Sequence, residues 1–188
     1  MASQAARDWT YEMLASLPDD GNRYEIIDGE LIVTPPPAFG HQRVQWELGW
    51  LIANYLRQYP VGTGFFAPGD VIVDQRNVVE PDIFVVPRGL DPKSASWKDI
   101  RSLLLAVEIL SPSTARADRL RKRLLYQRFR VAEYWIVDSD ARVIDRWRPQ
   151  DSRAETLSDQ IDWQPSSDYP ALQIDVAELF ARSHGELA

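Results

Sequence analysis

Apolar residues recur along this chain with two different periods, and the points where the period changes divide it into elements. Residues 10–17 open on the cap-type Thr10 and run into Pro18-Asp19-Asp20-Gly21, which predicts a short helix and a turn. Tyr24-Glu25-Ile26-Ile27 and Leu31-Ile32-Val33 then flank Asp28-Gly29-Glu30, and apolar runs around an Asp-Gly pair predict a β-hairpin. Pro35, Pro36 and Pro37 lack backbone donors and stop the sheet. Across residues 41–59, Val44, Leu48, Leu51, Ile52, Tyr55 and Leu56 recur every three or four positions, predicting the first long helix.

Strand-like stretches follow at 71–73 and 81–86, separated by a polar turn. After a loop holding Pro87, Gly89 and Pro92, the apolar run over 103–110 predicts a buried central strand. Ser111-Pro112-Ser113-Thr114 marks a turn and a helix start, and a second long helix follows. Residues 133–138 and 142–147 predict two strands about Ser139-Asp140-Ala141. Residues 149–170 are polar and show no clear period, and a last short helix falls near 176–180. Trp46, Trp50, Trp135 and Trp147 stand inside periodic segments, so core packing is expected of them. Strands alternating with helices, together with hairpins, predict an α/β fold in which a mixed β-sheet carries α-helices on both faces. One domain is expected over 1–188, with its core over 10–148 and a C-terminal extension over 149–188.

Composition narrows the function classes. The 188 residues are 45% hydrophobic and 26% charged, enough for a packed core and unlike a disordered chain. The absence of cysteine excludes disulfide frameworks, thiolate zinc sites, iron–sulfur clusters and cysteine nucleophiles, and suits a reducing cytoplasm. No apolar run reaches the length of a membrane span, and the first residues lack the order of a secretory signal, so no membrane partner is expected. The formal charge is −7, but residues 115–130 carry +6, leaving −13 elsewhere.

Three positions hold candidate chemistry. Glu108 follows Leu103-Leu104-Leu105-Ala106-Val107; either the strand ends there and the carboxylate reaches water or an arginine, or a buried acid is compensated by another group. Asp82 opens Ile83-Phe84-Val85-Val86 and, taken alone, reads as turn chemistry. If the two strands are neighbours, both acids face one space and need a cation or a shared proton. Oxygen ligands favour a hard ion such as magnesium or manganese. Lys122 shares a helical face with Asp118, Leu125 and Phe129, and is either aimed inward or solvated like its arginine neighbours. As isolated residues, His41 is a helix-start position and Glu30 an exposed strand position; His184 lies in the tail and receives no role.

The order of these segments resembles the Uma family of putative restriction endonucleases, within the PD-(D/E)XK nuclease superfamily. The likeness rests on Tyr24-Glu25-Ile26-Ile27-Asp28-Gly29-Glu30-Leu31, His41, Pro81-Asp82, Val107-Glu108-Ile109-Leu110-Ser111-Pro112-Ser113-Thr114, Asp118, Lys122, Tyr126 and Glu133-Tyr134-Trp135-Ile136-Val137-Asp138. It spans roughly residues 10–147. The resemblance implies a restriction-endonuclease-like mixed sheet between helices and a metal-dependent endonuclease that hydrolyses DNA phosphodiesters. It implies Asp82 and Glu108 as ligands of Mg2+, or of Mn2+, with the Ile109 carbonyl as a further ligand. The superfamily lysine stands two residues after the glutamate, where this chain has Leu110; the resemblance implies that Lys122 has taken over its role. Asp82, Glu108 and Lys122 are then the catalytic residues, with Glu30, His41, Asp118 and Tyr126 as auxiliaries. Arg116, Arg119, Arg121 and Arg123 would hold backbone phosphates, contacts that give affinity without sequence information. By analogy with superfamily members that pair to cut both strands, a homodimer is expected. A second departure is Arg130, where the family generally has glycine.

Two other readings stay open at this stage. Leu110 and the net negative charge suit a nuclease-fold module that binds nucleic acid or a protein partner without cleaving. Composition alone admits an acidic glycoside hydrolase acting through Asp82 and Glu108, against which the basic helix speaks.

Overall fold

The computed structural model describes residues 8–112 and 115–187. The hairpin forms as the Asp-Gly pair demands. Strands β1 (Arg23–Ile27) and β2 (Glu30–Thr34) pair with Ile27 opposite Glu30, and both turn residues take positive φ, 53° at Asp28 and 78° at Gly29. That turn matches the twist of its strands, and Gly29 adopts it at no steric cost. Helix α1 (Tyr11–Leu14) is a single turn, shorter than expected, because none of its residues is buried and so no packing face extends it.

Helix α2 (Phe39–Gln58) buries His41, Val44, Leu48, Ile52 and Tyr55 along one line. Trp46 and Trp50, expected in the core, are instead 69% and 56% exposed. Each lies two residues from the buried Leu48 and so about 200° around the helix from it. Trp135 is buried, and Trp147 packs partly buried against the core.

Two sheets frame the molecule. β1 and β2 join β4 (Val71–Asp74) and β5 (Asn77–Val79) in a four-stranded sheet of order β2-β1-β5-β4. The main sheet adds β3 (Gly62–Phe66), β6 (Ile83–Pro87), β7 (Leu105–Ile109), β8 (Tyr134–Asp138), β9 (Val143–Trp147) and β10 (Glu155–Leu157), in the order β10-β9-β8-β7-β6-β3. Its neighbours are antiparallel except β7 and β8. Parallel strands need a crossover, and here it contains a π-helical segment (Ala117–Lys122) running into α3 (Arg123–Arg128). The chain ends with the pair β11 (Gln160–Trp163) and β12 (Leu172–Asp175), followed by α4 (Val176–Ser183). The turn predicted at 111–114 falls partly on Ser113 and Thr114, which lie outside the described residues.

The main sheet is covered on both faces, as the sequence predicts. Leu105, Val107 and Ile109 of β7 pack in one cluster with Val44, Leu48 and Ile52 of α2 and with Ile161, Trp163, Val176 and Phe180 of the tail. Ala106 packs in the other, with Leu125, Tyr126, Tyr134 and Ile27. Strand alternation puts Glu108 on the same face as Ala106, under the crossover.

Arg130, just past α3, has φ of 56°, and the Val131 amide donates to the Tyr126 carbonyl at 3.0 Å. A left-handed residue closing a helix is where glycine is favoured and a side chain is strained. Arg130→Gly is therefore expected to stabilise the fold by about 1 kcal/mol and raise Tm by roughly 2–4 °C, as read by thermal unfolding.

Candidate active site

Continuing the register of Ile83 opposite Val107 places Asp82 opposite Glu108 at the ends of β6 and β7. Both are buried, with 2% and 1% exposed. Asp82 is held from three sides: Oδ1 accepts from Arg23 Nη1 at 2.8 Å, Oδ2 accepts from the Ile109 amide at 2.7 Å, and Oδ2 lies 3.1 Å from His41 Nε2. Burial alone would raise its carboxyl. His41, Arg23 and the Ile109 amide outweigh burial and hold it below the usual carboxylate range.

Glu108 behaves oppositely. Oε1 accepts from Lys122 Nζ at 3.0 Å and from the Tyr126 hydroxyl at 2.9 Å. Burial pushes its carboxyl well up, and Asp118, Glu25 and Asp82 add to the push that Lys122 opposes. Lys122 is itself 1% exposed. Burial would lower its ammonium, but Glu108, Glu25 and Asp118 outweigh that and keep it charged. Its nitrogen lies 2.8 Å from Glu25 Oε1, 3.0 Å from Glu108 Oε1 and 3.4 Å from Asp118 Oδ1.

The reach of Lys122 comes from the π-helical segment that carries it, a winding frequently found at functional sites. Asp118 sits one turn earlier in the same segment, and its carbonyl accepts from the buried Tyr134 hydroxyl at 3.1 Å.

Two residues of the cluster were not singled out from the sequence. Glu25, fully buried in β1, accepts from Lys122 and also from the Glu80 amide at 2.8 Å. Arg23, two residues earlier, anchors Asp82; burial would lower its guanidinium, but Asp82, Glu108 and Glu25 together raise it. The signal was present: two charged residues spaced by two in an apolar strand share one face, and that face includes the buried Ile27.

Of the expected auxiliaries, His41, Asp118 and Tyr126 join the cluster. Glu30 does not: its side chain is 68% exposed and pairs with Arg121 at 3.1 Å. The arginines expected to meet phosphate are mostly spoken for. Arg119 bridges Asp138 and Asp145 at 2.7 and 2.6 Å, and Arg121 also donates to the Ile27 carbonyl. Arg123 bonds Gln127 and stacks over Trp147, and Arg116 is exposed.

The donor set fits a hard divalent ion in charge and chemistry. Four buried carboxylates, Glu25, Asp82, Glu108 and Asp118, face two permanent cations, Lys122 and Arg23, an excess of two negative charges when all four are ionised. Glu25 Oε2 is buried without a hydrogen-bond partner among the described residues. Those residues contain no preassembled cage of three acid or imidazole ligands. Magnesium does not require one, since it is commonly held by one or two carboxylates and completed by waters and substrate phosphate.

Comparison with known proteins gives the fold and the family. A solved structure from Anabaena variabilis, described as a putative nuclease belonging to DUF820, superposes with a TM-score of 0.76 at 19% identity. The match covers 93% of this chain and 98% of that one. At this identity the likeness establishes the fold, a mixed sheet with flanking helices. No curated protein matches the chain. The profile of the Uma2 family, described as "Putative restriction endonuclease", matches residues 11–177. Because that match runs from α1 to the start of α4, most of the chain, the chain belongs to the Uma2 family of putative restriction endonucleases.

Proposed function

We propose that this protein is a metal-dependent endonuclease that hydrolyses phosphodiester bonds in DNA, with Asp82, Glu108 and Lys122 as its catalytic residues. The observation that carries the reading is the meeting of Lys122, from the crossover, with Glu108 of β7 at 3.0 Å, beside Asp82 in the facing register position. Three residues distant in sequence share one buried polar cluster.

Asp82 and Glu108 would hold Mg2+ or Mn2+, with the Ile109 carbonyl as a further ligand. Bound there, the ion supplies Lewis-acid polarisation of a phosphate oxygen and a lowered pKa for the attacking water. The surrounding residues prepare that task. Arg23, His41 and the Ile109 amide keep Asp82 ionised and fixed. Tyr126 fixes Glu108, and burial keeps its phenol protonated and donating. Glu25 and Asp118 hold the Lys122 ammonium, which orients the water or stabilises negative charge developing on the phosphorus centre.

One observation favours the non-cleaving module instead: Asp82, Glu108 and Lys122 are no more than 2% exposed, so a phosphate reaches them only after covering groups move aside. Cleavage assays separate the readings. Plasmid and single-stranded DNA incubated with the protein are expected to be cut with Mg2+ or Mn2+, not with EDTA, and not by Asp82→Ala or Glu108→Ala. Metal-independent cutting, or cutting by both variants at the wild-type rate, would overturn the proposal. DNA binding that survives both substitutions without metal-dependent turnover would establish the module.

A further inference from the structure

Three aromatic side chains of α2 face solvent: Phe39 at 79% exposed, Trp46 at 69% and Trp50 at 56%. Spaced seven and four residues apart, they fall within about 20° of one line along the helix. That line lies opposite the buried one of His41, Val44, Leu48, Ile52 and Tyr55. Together they leave on the order of 400 Å² of aromatic surface in water, within the range of the largest apolar patch on a typical monomer, a patch that is often functional. They also face away from His41 and Asp82, so they do not serve as a stacking platform for a substrate in the candidate active site.

We propose that this face docks a second copy of the chain, α2 against α2 antiparallel, about a twofold axis that passes between the two aromatic lines midway between Trp46 and Trp50, at the level of Leu48 along the helix. A twofold interface must be self-complementary, and the exposed line of α2 reads as its own complement about that position. Trp46 meets the partner's Trp50, and Trp50 meets the partner's Trp46. Phe39, at one end, meets the partner's Arg57, an exposed guanidinium suited to the face of an aromatic ring. Arg43 lies opposite the partner's Ala53, a long side chain over a small one. Arg43 is already fixed, donating to the Ser183 and Arg182 carbonyls at 2.9 and 2.7 Å at the end of α4, so little rotamer freedom is left to lose on docking. The edge toward α4 and β12 adds a groove of about 550 Å³ lined by the half-buried Leu51 and by the exposed Gln173, Asp175, Glu178 and Arg182, a polar rim to the aromatic line. Aromatic area on the order of 400 Å² is about half of what each partner contributes to a standard interface, and these flanks extend it.

This interface depends on neither metal nor cleavage, so its test stands apart from that of the nuclease reading. Sedimentation equilibrium of the full chain at tens of micromolar is expected to give a dimer. Trp46→Lys and, separately, Trp50→Lys should raise the dimer dissociation constant by on the order of a hundredfold or more, since each change acts twice in a twofold interface. At concentrations low enough for the wild type to be monomeric, their thermal midpoints should stay close to the wild-type value, because both side chains are more than half exposed. A monomeric wild type, or a dimer unaffected by both substitutions, would overturn the proposal. The register is read by disulfide capture, which is clean because the chain has no cysteine. When Phe39→Cys and Arg57→Cys chains are mixed and oxidised, the disulfide joining the two different chains should dominate. Predominance of self-paired Phe39→Cys chains, or no crosslinking, would equally overturn it.

Discussion

Lys122→Met is expected to cut the metal-dependent cleavage rate by roughly 10²–10³-fold, the scale for losing one preorganised group that meets developing charge. It should also destabilise the protein. The ammonium lies within 3.4 Å of Glu25, Glu108 and Asp118, all buried, and methionine fills the space without supplying the charge. Removing one partner from a buried ion cluster costs about 3–5 kcal/mol, or a fall in Tm of roughly 10 °C or more. A lysine serving only as a surface phosphate contact would lose affinity and leave the unfolding midpoint in place. Thermal unfolding and single-turnover cleavage of the same variant, below its lowered midpoint, therefore test the assignment together. Full activity, or an unchanged midpoint, would contradict it.

The second large effect separates the two acids. Glu108→Gln and Asp82→Asn should each reduce cleavage by at least about 10³-fold if both hold the ion, yet their effects on the metal-free fold should have opposite signs. The Glu108 carboxyl is pushed well above its ordinary 4.5 by burial and by Asp118, Glu25 and Asp82. A group raised in the folded state contributes stability that is present below its unfolded value and lost as pH rises through the folded one. Glutamine cannot ionise, so Glu108→Gln should gain on the wild type progressively as pH climbs above 4.5. Asp82 is lowered below its ordinary 3.8, its burial outweighed by His41, Arg23 and the Ile109 amide. Its contribution is present above 3.8 and lost as pH falls through the lowered value, so Asp82→Asn should be destabilised at neutral pH and approach the wild type in acid. Urea midpoints measured across pH without metal check both signs. Parallel curves for the two variants would refute the electrostatic account of the site.

On the proposed reading, this cluster gives up stability in order to hold an ion. Four carboxylates around two permanent cations repel one another in the metal-free protein, and a proton on Glu108 relieves part of that strain. An apolar core of the same volume would be more stable and would have nothing with which to hold an ion.

How far the sequence could be read differs from element to element. The hairpin was legible because Asp28 and Gly29 carry a local conformational demand, and both adopt positive φ. The central strand was legible from its uninterrupted apolar run, and the inner face of α2 from the spacing of Val44, Leu48, Ile52 and Tyr55. Strand β3, with two glycines in five residues, gave no such pattern and exists by pairing with β6 over its whole length. The three-residue β5 is likewise held by its neighbours β1 and β4, β10 by pairing with β9, and β11 and β12 by pairing with each other in an otherwise polar tail.

The chemistry divides along the same line. The sequence by itself determined the acids at the ends of two apolar strands, the lysine on the following helix and the closed Asp-Gly turn, because each follows from neighbours a few residues away. Only the tertiary structure decided that Glu25 and Arg23 enter the site while Glu30 pairs with Arg121 outside it. It also decided that Arg119 is bound to Asp138 and Asp145, and that Trp46 and Trp50 face water. The physical reason is common to all of these. A side chain's partner is fixed by the register and packing of segments far apart in the chain, and in a low-dielectric interior that partner sets its charge.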